Sequence, residues 1–425
     1  MNNNTMNKHT KTTHRHTALA LVLAGLMPLP ALAEEENAPR IGDILEGINM
    51  FTPEDGDPAY KVAANEKYGT QWGVDIAYSA WKPHRVAGIP SGAVLNYTLL
   101  HAQLNQRLIA DEVNGGTWLR AEVSGTWGLD KRSGSAKYDM VGGTGAAAEP
   151  HVDIFGPHHC GSPELAVMQY LAGKRICFIG GMVNLTNYFD AVSIANDSFS
   201  GFANSAFINS QVLPLTSCNS AFGAVLQGEI DTRNYVMVAA AQTGGDFAAG
   251  TNPFRRDDQD GFAVVGEYGH IFDDGDAVLR INPFYRRFDA KQFGEGADNH
   301  QTVGLAGSID WNLSDTVSVY ARAGVSAKQQ FSPAAELTAG LNLKLLPSRE
   351  DDFLGLAAGV LKGQSPYGDE EGGTDHRREY VAEVTYSLQL NDYLKLMPHL
   401  EYIARPAAAH VSDETVFGVQ AVMSF

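Results

Sequence analysis

Residues 378–425, REYVAEVTYSLQLNDYLKLMPHLEYIARPAAAHVSDETVFGVQAVMSF, decide the fold. From Glu379 to Leu390 the chain alternates: Tyr380, Ala382, Val384, Tyr386, Leu388 and Leu390 fall on one face, Glu379, Glu383, Thr385, Ser387 and Gln389 on the other. A period of two is the mark of a β-strand. After a turn at Asn391 and Asp392, Leu394, Leu396, Pro398, Leu400 and Tyr402 interleave with Lys395, His399 and Glu401. The last strand sets Thr415, Phe417, Val419, Ala421, Met423 and Phe425 against Gly418, Gln420 and Ser424. Three consecutive strands thus carry one apolar face each, with aromatic residues near their ends and no helix following to cover them. Lipid is the expected cover, which predicts an all-β, transmembrane antiparallel barrel.

The other end of the chain agrees. Lys8, Lys11 and Arg15 precede the apolar run Ala18 to Leu26, and Ala31-Leu32-Ala33 offers the small residues of a cleavage site. Residues 1–33 therefore read as a signal peptide for export. No later run reaches the 18 or so apolar residues of a membrane helix. Removing that segment leaves 425 − 33 = 392 residues and moves the formal charge from −18 to −21. So acidic a chain lacks the basic surface that nucleic acid requires. A mean hydropathy of −0.18 suits a barrel, in which every second strand residue faces water.

Residues 34–70 read as an acidic, irregular periplasmic lead-in or short plug, and 71–425 as the barrel. Period-two segments recur through the chain. Trp72, Val74, Ile76 and Tyr78 form the first, followed by 93–105, 117–127, 164–171, 174–184, 222–230, 233–242, 261–272 and 277–288. Val303 to Trp311, Val317 to Val325 and Leu337 to Leu345 alternate too, and 353–362, mostly apolar or glycine on both faces, completes the set before the three terminal strands, about 16 in all, an even number as bacterial barrels require. Connections alternate long (129–163, 185–221, 243–260, 289–300) and short (172–173, 231–232, 273–276, 312–315). Long loops belong outside and short turns in the periplasm, which also holds both termini. In so wide a barrel, selective passage requires a loop to fold inward.

A family resemblance enters here. Arg175-Ile176-Cys177-Phe178-Ile179-Gly180, Asn187-Tyr188-Phe189-Asp190 and Phe202-Ala203-Asn204-Ser205-Ala206-Phe207 resemble the strand, loop and F-x-N-x-x-F run of the OprB-type carbohydrate-selective porins. Glu379-Tyr380, Glu383, Tyr386, Leu394, Pro398, Glu401-Tyr402-Ile403, Pro406 and the closing Phe425 are similar to that family's terminal motif. At the start, Gln71-Trp72-Gly73 keeps only part of the family pattern. The resemblance implies a 16-stranded sugar channel of the Gram-negative outer membrane, narrowed by inward-folded loops. Its partners would be small sugars as permeants and the surrounding lipid and lipopolysaccharide, with a homo-oligomer left open and no cofactor needed.

A sugar offers hydroxyls and an apolar ring face, so its path needs charged or amide groups and aromatic surfaces. Trp118, Arg120 and Glu122 share the non-lipid face of one strand, and Tyr320 and Arg322 that of another. These five are the candidate pore-wall residues, against the alternative that Arg120 and Glu122 form a structural ion-pair lattice. Glu383, His399 and Glu401 face the lumen by the same parity and read as solvated or paired wall charges.

Of three cysteines, Cys160 and Cys218 fall in two loops assigned to one side, making them a candidate disulfide pair. Acidic groups at Asp257, Asp258 and Asp260, at Asp273, Asp274 and Asp276, and at Asp369, Glu370 and Glu371 lack calcium-loop spacing and read as solvated loops. His158 and His159 beside Cys160 do not make a metal site, since adjacent residues rarely chelate one ion. No G-x-S-x-G, H-E-x-x-H or phosphate-loop motif occurs. The expectation is a carbohydrate-preferring diffusion channel and not an enzyme; a non-selective porin and an outer-membrane barrel hydrolase are the alternatives.

Overall fold

The computed structural model describes residues 43–50, 58–86, 89–90, 92–111, 113–131, 133, 148–150, 158–215, 221–243, 261–272, 275–288, 301–327, 333–363, 378–406 and 412–425. The proposed signal peptide, Cys218 and the acidic groups at 257–260, 273–274 and 369–371 lie outside them.

The alternating segments form β1 (Thr70–His84), β2 (Leu95–Ile109), β3 (Thr117–Gly128), β4 (His158–Leu171), β5 (Ile176–Val183), β6 (Ala221–Glu229), β7 (Asn234–Thr243) and β8 (Gly261–Phe272). The second half supplies β9 (Ala277–Phe288), β10 (Gln301–Ser314), β11 (Val317–Ala327), β12 (Ala335–Leu343), β13 (Phe353–Lys362), β14 (Arg378–Asn391), β15 (Leu394–Ala404) and β16 (Glu414–Ser424). Each strand pairs with its neighbours in sequence, and β1 meets β16 with Ala77 opposite Val422, so the sheet closes on itself. Closure leaves no edge strand, so each strand has a hydrogen-bonded neighbour on both sides. That condition lets a sheet sit in hydrocarbon.

Side-chain exposure follows the predicted parity. Leu165, Val167, Phe178, Val384, Leu400 and Phe417 lie 43–49% exposed on the outer face. Among the described residues no layer of protein shields them, while the alternate residues Glu164, Glu383, Thr385 and Glu401 are almost wholly covered on the inner one. An apolar outside around a polar inside is the reverse of a soluble sheet and fits a lipid surround. Among the described residues no helix is long and apolar enough to cross a membrane, so the crossing belongs to the strands.

Two expectations change. β4 begins at His158 and not at residue 164, because an irregularity between Glu122 and Ser124 lets pairing resume at Gly161 and continue to His158. Cys160 therefore sits in a strand opposite Gly125 and not in a loop, with its side chain exposed, while Cys218, its proposed partner, lies outside the described residues. The lead-in is also not irregular where it is described: α1 (Asp43–Asn49) and α2 (Ala59–Tyr68) precede β1, and Gly69, at φ 63°, ends α2 in the left-handed conformation that glycine adopts without penalty.

Candidate functional site

The inner face of the barrel is crossed by residues 184–215, which connect β5 and β6. Asn184 starts the crossing by capping a 3₁₀ turn, Leu185–Asn187, through Thr186 N to its Oδ1 at 3.3 Å. A short helix, α3 (Ser205–Ile208), is capped in the same way by Asn204, whose Oδ1 accepts from Ala206 N at 3.1 Å. Phe202 and Phe207 of the F-x-N-x-x-F run pack with ring centroids 5.7 Å apart and are fully buried.

A loop that leaves water to cross a barrel must find acceptors for its backbone N–H groups. The wall supplies them as carboxylates. Glu267 of β8 accepts from Asp190 N at 2.9 Å, and Asp310 of β10 accepts from the Ser193 hydroxyl at 2.7 Å. Glu336 of β12 accepts from Gln211 N at 2.7 Å. Glu383 of β14 takes Ala203 N at 2.9 Å and Asn204 N at 3.0 Å, and Glu401 of β15 takes the Asn204 amide at 2.7 Å. Each of these inward side chains accepts from the loop, so together they fix it against the far wall. Residues 148–149, from the connection between β3 and β4, join it: Ala148 N donates to Glu379 at 2.7 Å and Glu149 N to Ser205 Oγ at 2.9 Å.

Trp118, Arg120, Glu122, Tyr320 and Arg322 all face inward, yet they are only 6, 3, 5, 2 and 1% exposed. They do not present the free surface that a permeant-contact role requires; loop and helix cover them. Arg322 Nε pairs with the Asp190 carboxylate at 2.7 Å, and its Nη1 and Nη2 donate to the Phe207 and Ile208 carbonyls at 3.2 Å each. Tyr320 lies over Gly340, its directly paired neighbour on β12, where an added Cβ would meet the ring at 2.4 Å. Arg120 pairs with Glu164 at 3.0 Å and stands 5.2 Å from the Tyr188 ring centre. Glu122 accepts from Asn187 Nδ2 at 2.7 Å and Glu164 from the same amide at 2.8 Å, while Tyr188 donates its hydroxyl to Glu164. Trp118 donates to the Gly115 carbonyl at 2.8 Å.

His399 and Glu383, read as wall charges, form a buried pair at 2.9 Å. His399 also stacks on Trp81 at 5.6 Å.

Part-exposed polar side chains collect on β1, β2 and β15, none of which the sequence reading singled out as a site. Asp75, His101, Gln103 and Lys395 all face inward there. The Gln103 amide lies 3.2 Å from His101 Nε2, which is 3.1 Å from Glu122. The loop meets this flank at Phe199, whose ring stacks on His101 at 5.8 Å, and at Asp197, which lies within electrostatic reach of Asp75. Parity alone put Asp75 on the non-lipid face of the first strand; that the loop approaches it is a tertiary fact.

Among the described residues, no group of three or more His, Cys, Asp and Glu side chains is arranged to hold a metal ion.

Residues 162–425 match the profile of the family described as "Carbohydrate-selective porin, OprB family", more than half of the chain. No curated protein matches. Among solved structures, Pseudomonas putida OprB at high pH aligns with a TM-score of 0.66 at 14% identity, over 86% of this chain and 96% of that one. Its low-pH structure gives a TM-score of 0.50 at 12% identity, over 87% and 97%. The outer membrane channel DcaP of Acinetobacter baumannii gives a TM-score of 0.53 at 10% identity, over 84% and 97%. At such identities these structures speak for the fold alone.

Proposed function

The chain belongs to the OprB family of carbohydrate-selective porins, and from that premise we propose that it lets small sugars diffuse passively through a loop-narrowed, water-filled bore, in preference to other solutes of like size. Family and fold together make it an outer-membrane sugar porin. The proposal adds passive transport, preference and a path.

The observation that carries it is the carboxylate-tethered crossing at 184–215. An open 16-strand barrel would sieve only by its own width; a loop fixed against β8, β10, β12, β14 and β15 divides that width and leaves less of it free. On the flank of β1, β2 and β15, the part-exposed Asp75, Gln103 and Lys395, with Asp197 of the loop, offer donors and acceptors for hydroxyls, and the part-exposed His101 ring offers a flat edge. We assign permeant contact to this flank. Arg120, Glu122, Tyr320 and Arg322 are positioning residues that hold the loop in place.

No step in this transport makes or breaks a bond, so the protein's work is to exclude and to orient. Neutral polar solutes lose little by entering such a path, because wall groups replace part of their hydration as they pass.

Purified protein in a planar bilayer provides the test. Stepwise openings whose current falls as a monosaccharide is added to both sides support the proposal. Openings indifferent to sugar indicate general diffusion, and ester hydrolysis without openings would indicate the barrel hydrolase.

A further inference from the structure

From the structure we infer that α1 is a resident plug: a second narrowing of the bore, near its short-turn end, built from the chain's own N-terminal helix. This rests on the reading of the bore as the sugar path.

The helix does not sit outside the barrel. Leu45 and Asn49 are wholly buried, and every wall group that holds them faces inward. Asn49 donates its amide to Gln227 of β6 at 2.6 Å and accepts from the Gln227 amide at 3.3 Å. Its carbonyl, unpaired within the helix at the last turn, accepts from Asn105 of β2 at 3.0 Å and Arg120 of β3 at 2.9 Å. At the other end, Leu45 N, an orphan donor of the first turn, gives its hydrogen to Glu229 of β6 at 3.1 Å, and the Tyr170 hydroxyl of β4 donates to the Leu45 carbonyl at 3.4 Å. Both termini of a helix too short to stand alone are thus satisfied by side chains of the wall.

Three further features bear on the reading. Leu45 belongs to one buried apolar cluster with Met168, Tyr170, Cys177 and Ile179, so the contact excludes water as well as pairing polar groups. Glu46 pairs with Lys174 at 2.7 Å, and Lys174 lies in the short turn after β4, which fixes the helix at that end of the barrel. Arg120 touches both α1, through Asn49, and the loop's partner Glu164, so one guanidinium ties the two narrowings together.

A helix with its side chains is about 10–12 Å across, and the wall it covers, from β2 to β6, lies beside the polar flank of β1, β2 and β15. Solute that has passed the loop then has the space between α1 and that flank as its exit.

The native Cys177 thiol, fully buried within the Leu45 cluster, reports on docking. In a Cys160→Ser/Cys218→Ser background, Cys177 is the remaining thiol and is expected to resist a small water-soluble thiol reagent. Two variants are made in that background: deletion of residues 43–50, and, in the full chain, Leu45→Glu with Glu46→Lys, which opposes Glu229 and Lys174. Heat-modifiable mobility on gels confirms that each barrel is closed. In both, Cys177 should become reactive and the unitary conductance should rise on the order of twofold, in line with the cross-section of a helix. The ratio of monosaccharide to disaccharide uptake should fall as well. Closed barrels with a reactive Cys177 and unchanged conductance would overturn the plug while leaving the porin reading intact, and so would a deletion variant in which Cys177 stays protected. A parent protein that forms no channels would sink both.

Discussion

At the scale of single residues, the acidity of this chain has a use that composition could not show: several inward carboxylates are acceptors for one loop. Glu383 is the clearest case, since it is 1% exposed and takes two backbone N–H groups together with His399. Glu383→Ala should cost about 2–4 kcal/mol, because it strands two buried donors and a histidine, whereas Glu383→Gln keeps an oxygen acceptor and should cost roughly half as much. Urea midpoints of the two variants, followed by gel mobility in detergent, check the order. Arg322→Lys should weaken the loop nearly as much as Arg322→Leu, since an ammonium cannot reach Asp190 and the Phe207 and Ile208 carbonyls together; current noise in single-channel records measures it. Outside the membrane, Asp352 accepts from Arg349 Nε at 2.5 Å and from Gln389 N at 2.8 Å, tying the turn after β12 to the end of β14. The Arg349 hydrogen bond, aided by the Gln389 N–H, holds the Asp352 carboxyl below its ordinary value of 3.8. With the folded value lowered, its stabilising contribution is complete at neutral pH, shrinks as pH falls below 3.8 and is lost once the folded carboxyl protonates. Asp352→Asn should therefore lower the urea midpoint at pH 7, by an amount that shrinks as pH is taken below 3.8. Parity in the sequence gave the facing of Glu383, Glu401, His399, Arg120 and Arg322, but a two-residue period says only which side a group is on. It cannot say whether water, a sugar or a loop meets it, and so the five proposed wall residues turned out to be covered.

At the scale of elements, the strands were legible because lipid imposes the plainest of patterns: apolar out, polar in, with short turns at one end. β8 and β9 occupy the segments that alternation marked, β13 occupies the apolar and glycine run at 353–362, and the other strands differ by a few residues at their ends. β4 was read six residues short because Ser162 and Pro163 interrupt the alternation where the pairing with β3 slips. α1 was not legible at all, since seven residues hold too few turns for a helical period to emerge. The loop's inward course showed only through the family resemblance of its F-x-N-x-x-F run, whose phenylalanines are its buried anchor. Strand packing also rests on aromatic rings laid over directly paired glycines, as with Tyr320 on Gly340 and Trp81 on Gly418, where a new Cβ would meet the indole at 2.3 Å. Gly418→Val should force Trp81 from its place and with it the His399 stack, costing about 1–3 kcal/mol in the same urea assay, while Val419→Ile on the lipid face should be nearly neutral.

At the scale of the whole molecule, two layers of design meet in one cylinder. The outer layer is generic and answers to lipid; the inner one is particular, a loop and a helix seated on a polar lining that would be costly to bury without partners. Selectivity in this account belongs to the inner layer, and the barrel only carries it. The most direct measurement is liposome swelling with a monosaccharide and a disaccharide of the same sugar, for the parent protein and for a triple variant, Glu336→Ala/Glu383→Ala/Glu401→Ala, that releases the loop from β12, β14 and β15. The account predicts fast monosaccharide entry and about tenfold slower disaccharide entry for the parent, a ratio that corresponds to about 1.4 kcal/mol of barrier, and near-equal rates for the variant. Equal rates in the parent, or a ratio unchanged once the loop is freed, would contradict it.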